Sequence, residues 1–368
     1  MMFADNQRIS MRQVQALLLL NLFSTAILFL PAELAESAGH SAWILLAVAG
    51  VLISLLLTVL AHLGRQNPEF SVVEWSRYAL GNFFGTMVSV AVGLKLIFDA
   101  AMELRIFSEI LCRTMYFEAP TWVPMLALTS ICTAAAIQGV EARGRSAEIC
   151  FFLVFLPLIG FLAAVSCSTD FWRVWPVVLP ETAQIKSSLP VLLVPLQGVT
   201  FLWIIFPNLK RPQRAVKGIF YTCMAANMLY VLLVFLCLAI YGAEMLAVKV
   251  YPVLQLLGRV SFSGILLSRQ DVLLLWFWVV CAFTFVSCML FSSTVVCVKV
   301  MRQQAGKKRK FWVIGCAVLM YALAAFPVDL PSAYRLRLYI SPWTNGIILF
   351  IMPIIFLLID YVKRRLKV

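Results

Sequence analysis

The stretch Phe83-Phe84-Gly85-Thr86-Met87-Val88-Ser89-Val90-Ala91-Val92-Gly93-Leu94-Lys95-Leu96-Ile97-Phe98-Asp99 is an apolar, membrane-length run with a lysine inside it. If a helix enters a bilayer near Phe84, it reaches Lys95 after ~16 Å at ~1.5 Å per residue. That is about the middle of a ~30 Å hydrocarbon core. An ammonium at that depth must face other helices or a watered cavity, because a buried cation is costly unless paired. Asp99 stands one turn further on the same face, and Glu103 one turn beyond that. The stretch reads as a membrane helix with a polar stripe, which marks a functional site by default.

The rest of the chain agrees with that reading. Hydrophobic residues make up 62% and charged residues 13% of the 368, about half the charge of a soluble domain. The apolar residues fall into continuous blocks separated by short charged segments, which fits helices and excludes an alternating barrel pattern. Ten blocks are expected, at 14–32, 42–63, 84–109, 122–138, 147–167, 188–207, 217–242, 271–298, 311–327 and 343–362. The expected fold class is therefore an all-α integral membrane protein of ten transmembrane helices, in one domain spanning 1–368. The first block reads as a retained helix rather than a removed signal peptide.

Basic residues crowd one set of connections. These are Arg8 and Arg12, Arg65 and Arg77, Arg143 and Arg145, Lys210 to Lys217, Lys299 to Lys310, and Lys363 to Lys367. The other set holds Arg113, Arg173, Lys186, Lys249, Arg259, Arg269, Arg335 and Arg337. The asymmetry predicts both termini in the cytoplasm, as an even helix number requires. The net charge of +13 is then a topology signal that also suits anionic lipid headgroups. It is no sign of nucleic acid, since the charge is divided among six connections. Glu141, Arg143, Arg145 and Glu148 are expected in a loop, as ordinary salt bridges or as a latch. Ten cysteines form no C-x-x-C pair and sit mostly in apolar blocks; a Cys112–Cys167 disulfide is left open. With His40 and His62 alone among histidines, a metal site or a Ser-His-Asp triad has almost nothing to be built from; no metal or cofactor and no enzyme is expected.

Two blocks contain helix breakers. In the first, Ser24, Thr25 and Ala26 precede Pro31, which removes a backbone donor. In the sixth, Pro190 and Pro195 precede Gln197-Gly198 at mid-membrane depth. Breaks at matching places in two five-helix halves are the mark of inverted-repeat transporters of the LeuT type, with broken helices 1 and 6. Thr284 and Ser287 share a face of the eighth block, either lining a cavity or bonding their own helix. The segment around Tyr251-Pro252 is too short to span and reads as an interfacial helix or an outer gate.

Ile9-Ser10-Met11-Arg12-Gln13 ahead of Leu28-Phe29-Leu30-Pro31 resembles the start of spore germination permeases. These are the B subunits of endospore germinant receptors, within the amino acid–polyamine–organocation superfamily. Gly139-Val140-Glu141-Ala142-Arg143-Gly144-Arg145-Ser146-Ala147-Glu148-Ile149, and Tyr251-Pro252 followed by Gly258-Arg259, are similar to later parts of that family. The resemblance implies a ten-helix inverted-repeat fold and a pocket between helices one, three, six and eight. It also implies a small germinant, typically an amino acid, and partnership with an A subunit and a C lipoprotein in the inner membrane of the spore. Carried onto this chain, the pocket would include Ser24, Thr25, Ala26, Lys95, Asp99, Gln197, Gly198, Thr200, Thr284 and Ser287. Where the family commonly has glycine, Ser24-Thr25-Ala26 stands here, which implies a narrower pocket.

The expected chemistry follows from the breaks. A half-helix N-terminus suits a carboxylate, and freed carbonyls suit an ammonium. Lys95 would compensate a carboxylate or pair with Asp99. Besides a germinant sensor, the sequence allows an ordinary amino-acid or cation-coupled permease, and a non-transporting scaffold for partner subunits.

Overall fold

The computed structural model describes residues 7–24, 26–115, 119–167, 169, 171–175, 178–257, 270–302 and 308–366. The first block is two helices, α1 (Met11–Leu22) and α2 (Ala26–Ala38), parted at Phe23 and Ser24. Thr25 lies outside the described residues. Next come α3 (Ala42–Gln66), α4 (Val72–Thr114), α5 (Trp122–Gln138) and α6 (Val140–Cys167). The sixth block is α7 (Thr182–Leu193), a 3-10 stretch Val194–Val199 and a single turn, α8 (Leu202–Ile205). Then follow α9 (Ala215–Tyr241), α10 (Ala243–Ala247), α11 (Pro252–Leu257), α12 (Gln270–Val300) and α13 (Lys308–Ala325). The last block is α14 (Leu330–Gly346), a π turn Ile347–Ile351 and α15 (Met352–Leu366).

Each expected block falls on helix, interrupted near the middle only in the first and sixth, as lipid demands of any backbone that finds no water to bond. Among the described residues, seven helical stretches are long and apolar enough by length and composition to cross a membrane. No β-strand occurs among the described residues; one parallel bridge joins Ile9 to Leu209. Helix α1 is innermost, buried at Val14 and from Ala16 to Leu22, and the 3-10 stretch is buried throughout. Outward faces carry large apolar side chains, such as Leu52 and Leu55 on α3, Phe152 and Leu156 on α6, and Phe311 and Val318 on α13. Charged side chains, by contrast, are buried at Lys95, Asp99, Glu103, Arg143 and Arg337. That inversion of the soluble pattern is what a lipid-embedded bundle requires.

Several boundaries move. Pro31 lies inside α2, and the chain breaks before it, at Phe23 and Ser24. Helix α4 starts at Val72 and bends at Gly81, whose φ of 80° favours glycine. Gly139, with φ 95°, reverses the chain in a single residue, so α6 begins at Val140. Glu141, Arg143, Arg145 and Glu148 are therefore helical, not in a loop. Arg145 pairs with Glu141, while Arg143 is buried, donates to the Ser287 carbonyl and lies 4.7 Å over the Phe291 ring. Helix α14 starts at Leu330, capped by Asp329, which accepts from Ser332 N at 2.9 Å. Arg335 and Arg337 thus belong to a helix rather than to a connection, and Arg337 leaves the loop-charge argument. The α11 helix buries Val253 and Leu256 against the bundle and leaves Gln255 exposed on its other face. Cys112 and Cys167 are both free thiols.

Candidate functional site

Lys95, Asp99 and Glu103 share the inner face of α4, one turn apart. Lys95 Nζ donates to the Asp99 carboxylate and to Asn345 Oδ1, and reaches Thr200 Oγ1 at 3.4 Å. The other Asp99 oxygen accepts from Ser341 Oγ at 3.2 Å. Asn345 Nδ2 in turn donates to the Leu193 carbonyl at 2.9 Å and lies 3.5 Å from that of Val194. Those carbonyls stand where α7 passes into its 3-10 stretch; Pro195, having no N–H, offers no donor to the carbonyls three and four residues before it.

One turn along α4 a second cluster stands at the first break. Glu103 accepts from the Ser24 hydroxyl and from Arg337 Nη1 at 3.4 Å. This second ion pair is fully enclosed, with side-chain exposures of 1% and 0%, so its charges are weakly screened and depend on each other. The end of α1 is closed by Tyr230, whose hydroxyl donates to the Leu22 carbonyl at 2.5 Å and whose ring stacks on Phe23 at 4.4 Å. Gly198 brings the two breaks into contact: a Cβ there would stand 2.6 Å from the Asn21 carbonyl oxygen. The Gln197 side chain is buried beside it, and its Oε1 has no hydrogen-bond partner.

Of the sequence-expected residues, the structure joins Lys95, Asp99 and Thr200 in one cluster, bonds Ser24 to Glu103 in the other, and sets Gly198 against α1 with Gln197 buried beside it. Ala26 is buried and faces Glu33 and Arg337 across a space too tight for a water molecule. Thr284 and Ser287 bond their own helix, to Val280 O at 2.8 Å and Thr284 O at 3.2 Å. The sequence reading missed Arg337, Ser341 and Asn345, all on α14. Their spacing of four puts them on one helical face, a pattern that a last block of 343–362 cuts apart.

Above the network lies an open vestibule of about 670 Å³, lined by Phe29, Glu33, Glu36, Val191 and Tyr334 among others. Its floor is aromatic: Phe29 packs on Tyr334 at 4.5 Å and on Tyr251 at 5.6 Å. Two small apolar cavities, about 30 and 60 Å³, flank the breaks, and Lys95 lines neither. At the far end, Ile9 N donates to Asn208 O at 2.8 Å, Lys210 N donates to Ile9 O at 3.0 Å, and Gln13 reaches Glu148 at 3.4 Å. The bundle is closed at both ends, with its freed backbone groups held by its own side chains.

Residues 8–328 match the family described as "Spore germination protein". Spore germination protein YndE of Bacillus subtilis (strain 168) is 22% identical over 376 residues, covering 99% of each chain. Spore germination protein KB of the same strain is 24% identical over 324 residues, covering 87% of this chain and 85% of that one. Among solved structures, a Na+-coupled sialic acid symporter aligns with a TM-score of 0.71 at 12% identity, over 97% of this chain and 80% of its own. MhsT in complex with L-phenylalanine aligns at 0.68 and 12%, over 95% and 97%. Mhp1, a nucleobase-cation-symport-1 family transporter in a closed conformation, aligns at 0.66 and 12%, over 93% and 77%. At that identity the likeness is one of fold: the inverted-repeat transporter architecture with broken first and sixth blocks.

Proposed function

This chain belongs to the spore germination protein family, and on that premise we propose that it is a germinant-sensing, permease-like receptor subunit. Its ligand is a small zwitterion such as an amino acid, taken from the vestibule into the space between the two breaks. The observation that carries the reading is a pair of buried polar clusters along the inner face of α4: Glu103 with Ser24 and Arg337 at the first break, and Lys95 with Asp99, Thr200 and Asn345, which reaches the Leu193 carbonyl, at the sixth-block break.

The chemistry is one of exchange. An α-ammonium suits the Leu22 and Leu193 carbonyls that Tyr230 and Asn345 now occupy. A carboxylate suits the Arg337 guanidinium or the Lys95 ammonium. A ligand that replaces these internal bonds favours whichever state leaves them open, and shifts the equilibrium by its differential affinity. The output passes to an A subunit and a C lipoprotein, in the inner membrane of the spore, with both termini on the core side.

The test is binding of radiolabelled amino acids to the purified chain in lipid nanodiscs. Saturable binding that is lost in Lys95→Ala, with the variant still monodisperse, is expected. Absence of binding by the parent chain to any of the amino acids favours the scaffold reading. Accumulation of label inside proteoliposomes favours an ordinary permease, the activity of the solved symporters of this fold.

A further inference from the structure

Lys95 is held as an inorganic cation would be held. Its Nζ meets oxygens from three elements: the Asp99 carboxylate on α4, the Thr200 hydroxyl beside the 3-10 stretch, and the Asn345 amide oxygen on α14. Carboxylate, hydroxyl and amide oxygens are the donor set of hard cations. The cage is also oriented from outside. Ser341 fixes the second Asp99 oxygen, and the Leu193 and Val194 carbonyls fix the Asn345 amide so that its oxygen faces inward. All four residues of the cage and its occupant are buried.

We propose that Asp99, Thr200 and Asn345 form a monovalent-cation site that this chain fills with its own Lys95 ammonium. The closed state is thereby locked without an inorganic ion. A covalently attached charge cannot cross to the other side of the membrane. The site therefore takes no energy from a sodium or potassium gradient, unlike the solved symporter that is described as Na+-coupled. With the ammonium removed, Asp99 is a buried carboxylate lacking its cation; a proton would neutralise it whatever the salt, whereas a cage of these three oxygen donors takes a sodium or potassium ion in its place.

The experiment compares the full chain and Lys95→Ala in detergent micelles by thermal unfolding in sodium, potassium and choline chloride at constant ionic strength. The parent is expected to give the same midpoint in all three. Lys95→Ala is expected to melt lower in choline and to recover by about 3 °C or more, saturably, in sodium or potassium. Lys95→Ala combined with Asp99→Asn is expected to show no such recovery. If Lys95→Ala folds poorly, the yield of monodisperse protein in each salt reads the same quantity. A saturable sodium or potassium shift in the parent overturns the proposal. So does a Lys95→Ala chain without any salt-specific difference in midpoint or yield.

Discussion

Glu103 accepts from Ser24 and from Arg337 in a space without exposed surface. Removing one partner of such a pair strands the other charge in a medium that solvates it poorly. Glu103→Ala should therefore destabilise the folded chain by about 3–5 kcal/mol, read as a lowered thermal midpoint in detergent. Adding Arg337→Ala should restore part of that loss, because no orphan charge remains; simple additivity of the two would show that they are not coupled. Gly198 tests the contact between the breaks. Its absent Cβ would meet the Asn21 carbonyl oxygen at 2.6 Å and the carbonyl carbon at 2.7 Å, both backbone atoms that cannot rotate aside. Gly198→Ala should cost about 1–3 kcal/mol by overpacking and weaken amino-acid binding in nanodiscs, whereas a parent-like melt would separate the two backbones. Thr284 and Ser287 leave two outcomes open at the residue level, a cavity wall or a bond to their own helix, and the structure shows the second, since a helical hydroxyl has a carbonyl three or four residues back within reach.

At the level of elements, α1 and α14 carry the design. Ser10 caps α1 with a reciprocal bond to Gln13, whose backbone N–H lies 3.3 Å from Ser10 Oγ. Ser10→Ala should cost about 0.5–2 kcal/mol and speed hydrogen exchange in the first turn of α1; unchanged exchange would show that the pairing of Ile9 with Asn208 and Lys210 holds the turn unaided. The end of α14 passes into a π turn, and Trp203 Nε1 donates to the Ile348 carbonyl there at 3.1 Å. The π geometry and the indole together tie the tenth block to the sixth. In the sequence, Pro190, Pro195 and Gly198 announced a break because they remove donors and side-chain constraint. Asp329 followed by Pro331 in the first turn is a local start signal for α14, but Arg335 and Arg337 interrupt the apolar run, so hydropathy alone starts the last block later.

Across the whole molecule, closure at both ends is the governing feature. Phe29, Tyr334 and Tyr251 floor the vestibule, and the space between them and Arg337 admits no water. In a chain stripped of its native cysteines, Ala26→Cys should react slowly with a membrane-impermeant thiol reagent. Adding Tyr334→Ala should accelerate that reaction by removing the aromatic floor. Equal rates would mean that Ala26 is reached by another route.

The amino-acid sequence alone determined that this is a helical membrane protein with a charged stripe on its third block and weak points in its first and sixth. Those are properties of single segments: hydropathy over a membrane-length run, a spacing of four, and the missing donor of proline. Which group neutralises which was decided only in three dimensions. Glu103 and Arg337 are separated by 234 positions, and Lys95 and Asn345 by 250. A buried charge requires compensation but does not specify from where, and only the packing of α4 against α14 and the broken sixth block supplied the partner.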